Sequence, residues 1–97
     1  MDFASEKAKL ETQRRVVEVG MKAIKAHPEF RIIDPDEVGR GIQQHEDRWL
    51  LTIFLRHARF ELESFLVRIL IDLDTEECLF IPQPGWNDYK ARVGRVP

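Results

Sequence analysis

Ninety-seven residues (11.4 kDa), 43% hydrophobic and 33% charged, suit a single folded soluble domain with one core, and they exclude wholesale disorder. A net charge of −2 and a pI near 5.9 lack the basic excess of a dedicated nucleic-acid binder, so nucleic acid is not an expected partner. The lone Cys78 excludes an internal disulfide, Arg56, Arg59, Arg68 and Asp72 interrupt the apolar runs before they reach membrane-spanning length, and MDFASEKAKLE has no apolar secretory segment, which points to the cytoplasm.

The first predicted element is a helix over residues 3–27. Phe3, Leu10, Val17, Met21 and Ile24 recur at helical spacing, Asp2 is a candidate N-cap, and Pro28 ends the pattern. Glu11/Arg15 and Glu18/Lys22 are i,i+4 pairs in the favourable order. A second, smaller apolar face of Ala8, Val16, Val19, Ala23 and Ala26 calls for a second packing partner. At 1.5 Å per residue the helix spans about 38 Å, longer than a domain of this size is wide, so its first turns either overhang the sheet, pack on another chain or fray.

The segment PEFRIIDPDEVGRGIQQHED turns the chain from helix to sheet. Its acidic residues Glu29, Asp34, Asp36, Glu37, Glu46 and Asp47 face only Arg31 and Arg40, as expected of a solvated loop, and Val38, Arg40 and Ile42 can begin a short edge strand. In WLLTIFL, Trp49, Leu51, Ile53 and Leu55 alternate with Leu50, Thr52 and Phe54. In FLVRILIDL, Phe65, Val67, Ile69, Ile71 and Leu73 alternate with Leu66, Arg68, Leu70 and Asp72. A helical stripe through Leu51, Phe54, Leu55, Ala58, Leu62, Phe65, Leu66, Ile69 and Leu73 competes with this reading. Ile53, Val67, Ile69, Ile71 and the aromatics favour strands. CLFIP supplies another strand, and Pro82 and Pro84 close the sheet. The predicted fold is α+β, one long N-terminal helix on a three- to four-stranded antiparallel meander over residues 1–84, with 85–97 as an exposed tail.

Between the last two strands, DLDTEE has some of the carboxylates of a calcium loop but neither its glycine nor its distant bidentate glutamate, so the residues read as a hairpin turn and no metal is expected. The hairpin "VRILIDLDTEECLFI", preceded by a long helix and a meander, resembles PepSY-type and cystatin-like modules, in which a strand ending in Asp runs through a Thr-containing turn into a short last strand. The resemblance spans the chain in outline and this hairpin in sequence, with Thr75-Glu76 where the usual turn is Thr-Gly. It implies the architecture and carries over no functional residue.

Catalytic signals are sparse. His27, His45 and His57 have no metal-binding spacing, Cys78 has no sequence-local partner, and phosphate-cradling and GxSxG motifs are absent, so no catalytic residue, metal or cofactor is assigned. Charge and aromatics coincide in two places. In RWLLTIFLRHARFELE, Arg56 and Arg59 either rim a protein-binding surface or pair with Glu61 and Glu63; in the tail, Trp86 and Tyr89 either staple it to the body or await a partner. These four are the expected binding residues. The expected function is a small, non-catalytic, cytoplasmic interaction or regulatory module, a homodimer built on the two-faced helix and the open sheet edge. A small-ligand binder using the helix/sheet cleft and a nucleic-acid accessory using the basic tail are the alternatives.

Overall fold

The computed structural model describes residues 3–56 and 64–93, with side chains from Glu6 onward. Helix α1 (Phe3–Ala26) precedes a 3₁₀ turn (Phe30–Ile32), four strands, β1 (Val38–His45), β2 (Arg48–Leu55), β3 (Phe65–Ile71) and β4 (Cys78–Pro82), and a short helix α2 (Trp86–Val93). The strands form one antiparallel meander in the order β1-β2-β3-β4. Residues 48–55 and 65–71 are therefore strands, as their β-branched and aromatic content indicates, and the α+β architecture with an N-terminal helix stands.

One face of the sheet carries the core. Leu51 and Ile53 of β2 pair in register with Ile69 and Val67 of β3, and all four are fully buried together with Ile71. Against them α1 presents Val16 and Ile24, with 0% and 1% exposure, flanking Gly20. The buried stripe of α1 thus runs Val16–Gly20–Ile24, four residues apart. The expected stripe is met in part: Val17, Met21 and Ile24 pack on the core, while Val16 of the smaller face takes a fully buried position and Leu10 is 64% exposed. Gly20 sets where the approach is closest. A Cβ there would lie 2.3 Å from Leu51 Cδ2, so the missing side chain lets helix and sheet approach closely. The N-terminal part of α1, exposed from Glu6 through Glu11, projects past the core and contributes to a longest dimension of 51 Å.

The end of α1 is fixed by His27. Pro28 cannot continue the helix, and His27 Nδ1 accepts the backbone N–H groups of Glu29 (3.0 Å) and Phe30 (3.2 Å). The imidazole packs against both Phe30 and Phe80, at centroid distances of 4.7 and 4.5 Å, and these two rings stack on each other at 5.2 Å. On the other side of the layer, Arg15 donates to the Leu73 carbonyl at 2.7 Å, tying the helix to the β3–β4 turn.

The segment expected as an exposed tail from residue 85 is corrected by α2. Trp86 and Tyr89, each 2% exposed, belong to the core. Trp86 packs its ring on Phe30 (4.5 Å) and donates its indole N–H to Glu29 Oε1 at 2.7 Å, while the Tyr89 hydroxyl oxygen accepts the Asp34 N–H at 3.0 Å. Lys90–Glu29 (3.5 Å) and Arg92–Glu37 (3.4 Å) add exposed ion pairs of small value. Of the acidic residues expected as solvated loop, Glu29, Asp34 and Asp36 are exposed, and the Glu29 and Glu37 carboxylates with the Asp34 N–H also serve as partners of α2. The domain extends at least to Val93, and residues 94–97 lie outside the described residues.

Candidate protein-interaction face

Side chains on the sheet face opposite α1 follow from register. Gln43, Leu50, Leu70 and Leu79 are successive cross-strand partners and form one row across all four strands. The next row is Gly41, Thr52, Arg68 and Ile81. Beyond it Phe54 pairs with Phe65, ring centroids 6.4 Å apart, and the Phe54 ring lies over Gly39, where a Cβ would stand 2.5 Å from Cε2. On the opposite side of the leucine row, His45 faces Arg48, and Asp72 faces Glu77 through a 3.0 Å backbone bond.

This outer face is apolar at its centre and outside the core. Leu79 is 60% and Ile81 39% exposed, Leu50 and Leu70 are half-buried, and none of the four packs on the core cluster. A sheet with one solvated face normally alternates apolar and polar residues. Here β2 and β3 keep Leu50 and Leu70 on the outer face, between Arg48 and Thr52 on one strand and Arg68 and Asp72 on the other. Contiguous exposed apolar surface of this kind marks an interaction site.

Two shallow hollows flank Leu70. One is walled by Arg48, Asp72, Glu77 and Leu79, the other by Leu50, Arg68 and Ile81. Asp72 Oδ1 also accepts the N–H groups of Asp74 (2.9 Å) and Thr75 (3.4 Å), which forms the β3–β4 turn together with Glu76 at φ 60 and the Thr75 hydroxyl accepting Glu77 N–H at 3.3 Å. Neither Arg48 nor Arg68 has an ion-pair partner among the described residues.

The residues singled out in the sequence lie elsewhere. Arg56 is exposed, but its guanidinium donates to the Val38 carbonyl at 3.0 Å and its backbone N–H to the Glu37 carbonyl at 2.9 Å, so it secures the start of β1. Arg59 and its proposed partners Glu61 and Glu63 fall outside the described residues. Trp86 and Tyr89 are core, and an expectation that they reach a partner as exposed anchors is corrected by their burial. Burial, opposed by the Asp34 N–H donated to it, raises the Tyr89 hydroxyl above its ordinary range. Cys78 is half-buried at the β4 edge, where burial and then Glu76 push its thiol up, the opposite of an activated nucleophile. Among the described residues no three or more His, Cys, Asp and Glu side chains converge on a point that could hold a metal. At Gly20 the helix/sheet layer is closed even to a methyl group, which leaves no room for a ligand at that point of the expected cleft.

The signal for the outer face was present in the sequence as apolar residues at both parities of WLLTIFL and FLVRILI. Leu50, Leu70, Leu79 and Ile81, with Arg68 among them, are the residues that motif reasoning passed over. No family model, curated protein or solved structure matches the chain, and the likeness to PepSY-type and cystatin-like modules therefore rests on the outline and hairpin alone.

Proposed function

We propose that the domain is a non-catalytic protein-interaction module whose working surface is the outer sheet face and whose partner is a second copy of itself. The observation that carries this is the leucine row: Leu50, Leu70 and Leu79 in register across three strands, open on the face that neither described helix covers. Burying such side chains contributes roughly 25 cal/mol per Å² of apolar surface. A sheet-on-sheet sandwich offers them a partner of the same kind.

The size of the face sets the strength. Four strands about 4.8 Å apart and about seven residues long at 3.4 Å each give a face of about 19 by 24 Å, small for a specific interface. Association in the micromolar range is the consequence. The charges suit a second copy better than an acidic or basic partner, because arginines and carboxylates are both present at the rim.

Sedimentation equilibrium from about one to about 100 micromolar, the range such a small interface calls for, tests the reading. The expected result is a monomer–dimer equilibrium that Leu79→Arg shifts to monomer without lowering the melting temperature. A monomer mass throughout that range would refute self-association through this face.

A further inference from the structure

Two folds of symmetry are available to a pair of identical sheets packed outer face to outer face, and the charges on β3 distinguish them. Along β3 the outward residues are Asp72, Leu70 and Arg68, with Leu70 at the centre. Each charged residue lies two positions from Leu70, or about 7 Å along the strand. A two-fold axis lying along the leucine row reverses strand direction and sets β3 over β3. It brings Arg68 of each copy over Asp72 of the other and each leucine of the row against its own counterpart. A two-fold axis lying along β3 keeps the strands parallel and stacks Arg68 on Arg68 and Asp72 on Asp72. The first arrangement pairs opposite charges; the second also sets Arg48 of one copy over Glu77 of the other, but it alone opposes Arg68 to Arg68 and Asp72 to Asp72, which costs binding energy directly.

Leu70 stands between the two hollows, and rotation about the leucine row lays the hollow walled by Asp72 and Glu77 over the hollow containing Arg68. We propose that two copies pack as an antiparallel sheet sandwich about a two-fold axis along the Leu50–Leu70–Leu79 row, locked by reciprocal Arg68–Asp72 ion pairs. This rests on the self-association reading above and adds its geometry. Aligned sheets cross at about 30°, which offsets the paired charges laterally by about 3.5 Å at 7 Å from the axis, within the reach of an arginine side chain. The contact is isologous: residue i meets j where j meets i.

Charge complementation tests the axis. Arg68→Glu alone and Asp72→Lys alone each place like charges together twice in the dimer, so a tenfold weakening per pair becomes about a hundredfold. The double variant Arg68→Glu/Asp72→Lys restores both pairs in its own homodimer about the leucine row, whereas about an axis along β3 neither single variant changes the like-charge contacts and the double variant opposes like charges again; sedimentation equilibrium reads the difference. Asp72 also holds the turn, so melting of each variant is measured alongside, and a second arm avoids that residue. Leu79→Cys in a Cys78→Ser background, treated with a short bis-maleimide, cross-links to its own copy about the leucine row. About an axis along β3 the same residue faces Leu50 instead. Leu10→Cys on the exposed helix is the control. Weakening by each single variant with recovery in the double variant, or self-cross-linking where Asp72→Lys does not fold, supports the axis. A dimeric parent whose double variant shows no recovery over the single variants and whose Leu79→Cys does not cross-link overturns the axis and leaves self-association standing. A monomeric parent overturns both.

Discussion

Replacing a helical glycine by alanine ordinarily stabilises a helix by about 1 kcal/mol; at Gly20 the sign reverses. The new Cβ would meet Leu51 Cδ2 at 2.3 Å and Ile71 Cδ1 at 3.2 Å, and both side chains are fully buried in the core that α1 covers. Overpacking a dense core costs about 1–3 kcal/mol. Set against the propensity gain, Gly20→Ala loses about 0–2 kcal/mol, and each kcal/mol lowers the melting temperature of a domain this size by about 4–8 °C. The clash belongs to one side chain, so a double-mutant cycle isolates it. Leu51→Ala alone costs about 2–5 kcal/mol through lost burial and the cavity left behind. In that background the methyl of Gly20→Ala enters space already vacated, and the substitution recovers its ordinary stabilising sign. The expected coupling is about 1–3 kcal/mol, read from urea unfolding at one fixed protein concentration with a common m-value. Additivity, with Gly20→Ala stabilising by about 1 kcal/mol in both backgrounds, would refute the close approach of α1 to the sheet.

Trp86→Ala is expected to destabilise the isolated domain by about 3–5 kcal/mol, as for a large buried aromatic; urea unfolding measures it, and an unchanged midpoint would return residue 86 to the surface. Tyr89→Phe leaves the Asp34 N–H without its acceptor, a loss of about 1 kcal/mol. It also alters the alkaline limb. The folded state holds the Tyr89 proton more tightly than the unfolded chain, so this contribution is present below the ordinary tyrosine range and disappears as pH rises through the raised folded value. An alkaline unfolding curve no flatter in the Phe variant would count against it. Glu29 behaves in the opposite sense. The Trp86 indole N–H, and then Lys90, hold its carboxyl below the ordinary range, so its contribution is present above that range and lost as pH falls through the lowered folded value. Glu29→Gln should therefore flatten the acid limb of the stability curve, and an unchanged limb would deny the indole–carboxylate bond a role.

The sheet was legible because two signals agreed: alternation in WLLTIFL and FLVRILI gave the period, and Ile53, Val67, Ile69 and Ile71 gave the residue type. Leu10 and Val16 show why the helix face was harder to read. Both lie on apolar arcs, both arcs reach the core, through Val17 and Met21 on one and Val16 and Val19 on the other, and Gly20, which carries no hydropathy signal, sets where the approach is closest. Residues 85–97 were misread for a related reason. PGWNDYKARV is polar and opens with Pro84 and Gly85, features of a loose tail. Its two aromatics, Trp86 and Tyr89, sit three apart on one helical face, and their partners, Phe30, Glu29 and Asp34, lie more than fifty residues away in sequence. Local composition could not report that contact.

The same logic bears on the outer face. A strand that is apolar at one parity needs one cover; a strand apolar at both needs two. The described residues provide one helical layer, with α1 and α2 on the inner side, where Val16, Ile24, Trp86 and Tyr89 complete the core. Leu50, Leu70 and Leu79 on the other side remain in register with one another and open to solvent. A face meant only to meet water could carry threonine, lysine or glutamate at these positions at little cost to strand pairing, as Thr52 and Arg68 in the adjacent row demonstrate. Thr52 and Arg68 stand in the second row between Gly41 and Ile81, while leucine occupies three of the four positions of the first, an apolar line with Arg68 on one side and Asp72, Glu77 and Arg48 on the other. A surface so ordered is complementary to its own rotated copy, and that complementarity is the argument for proposing a second molecule of the same chain as the missing layer.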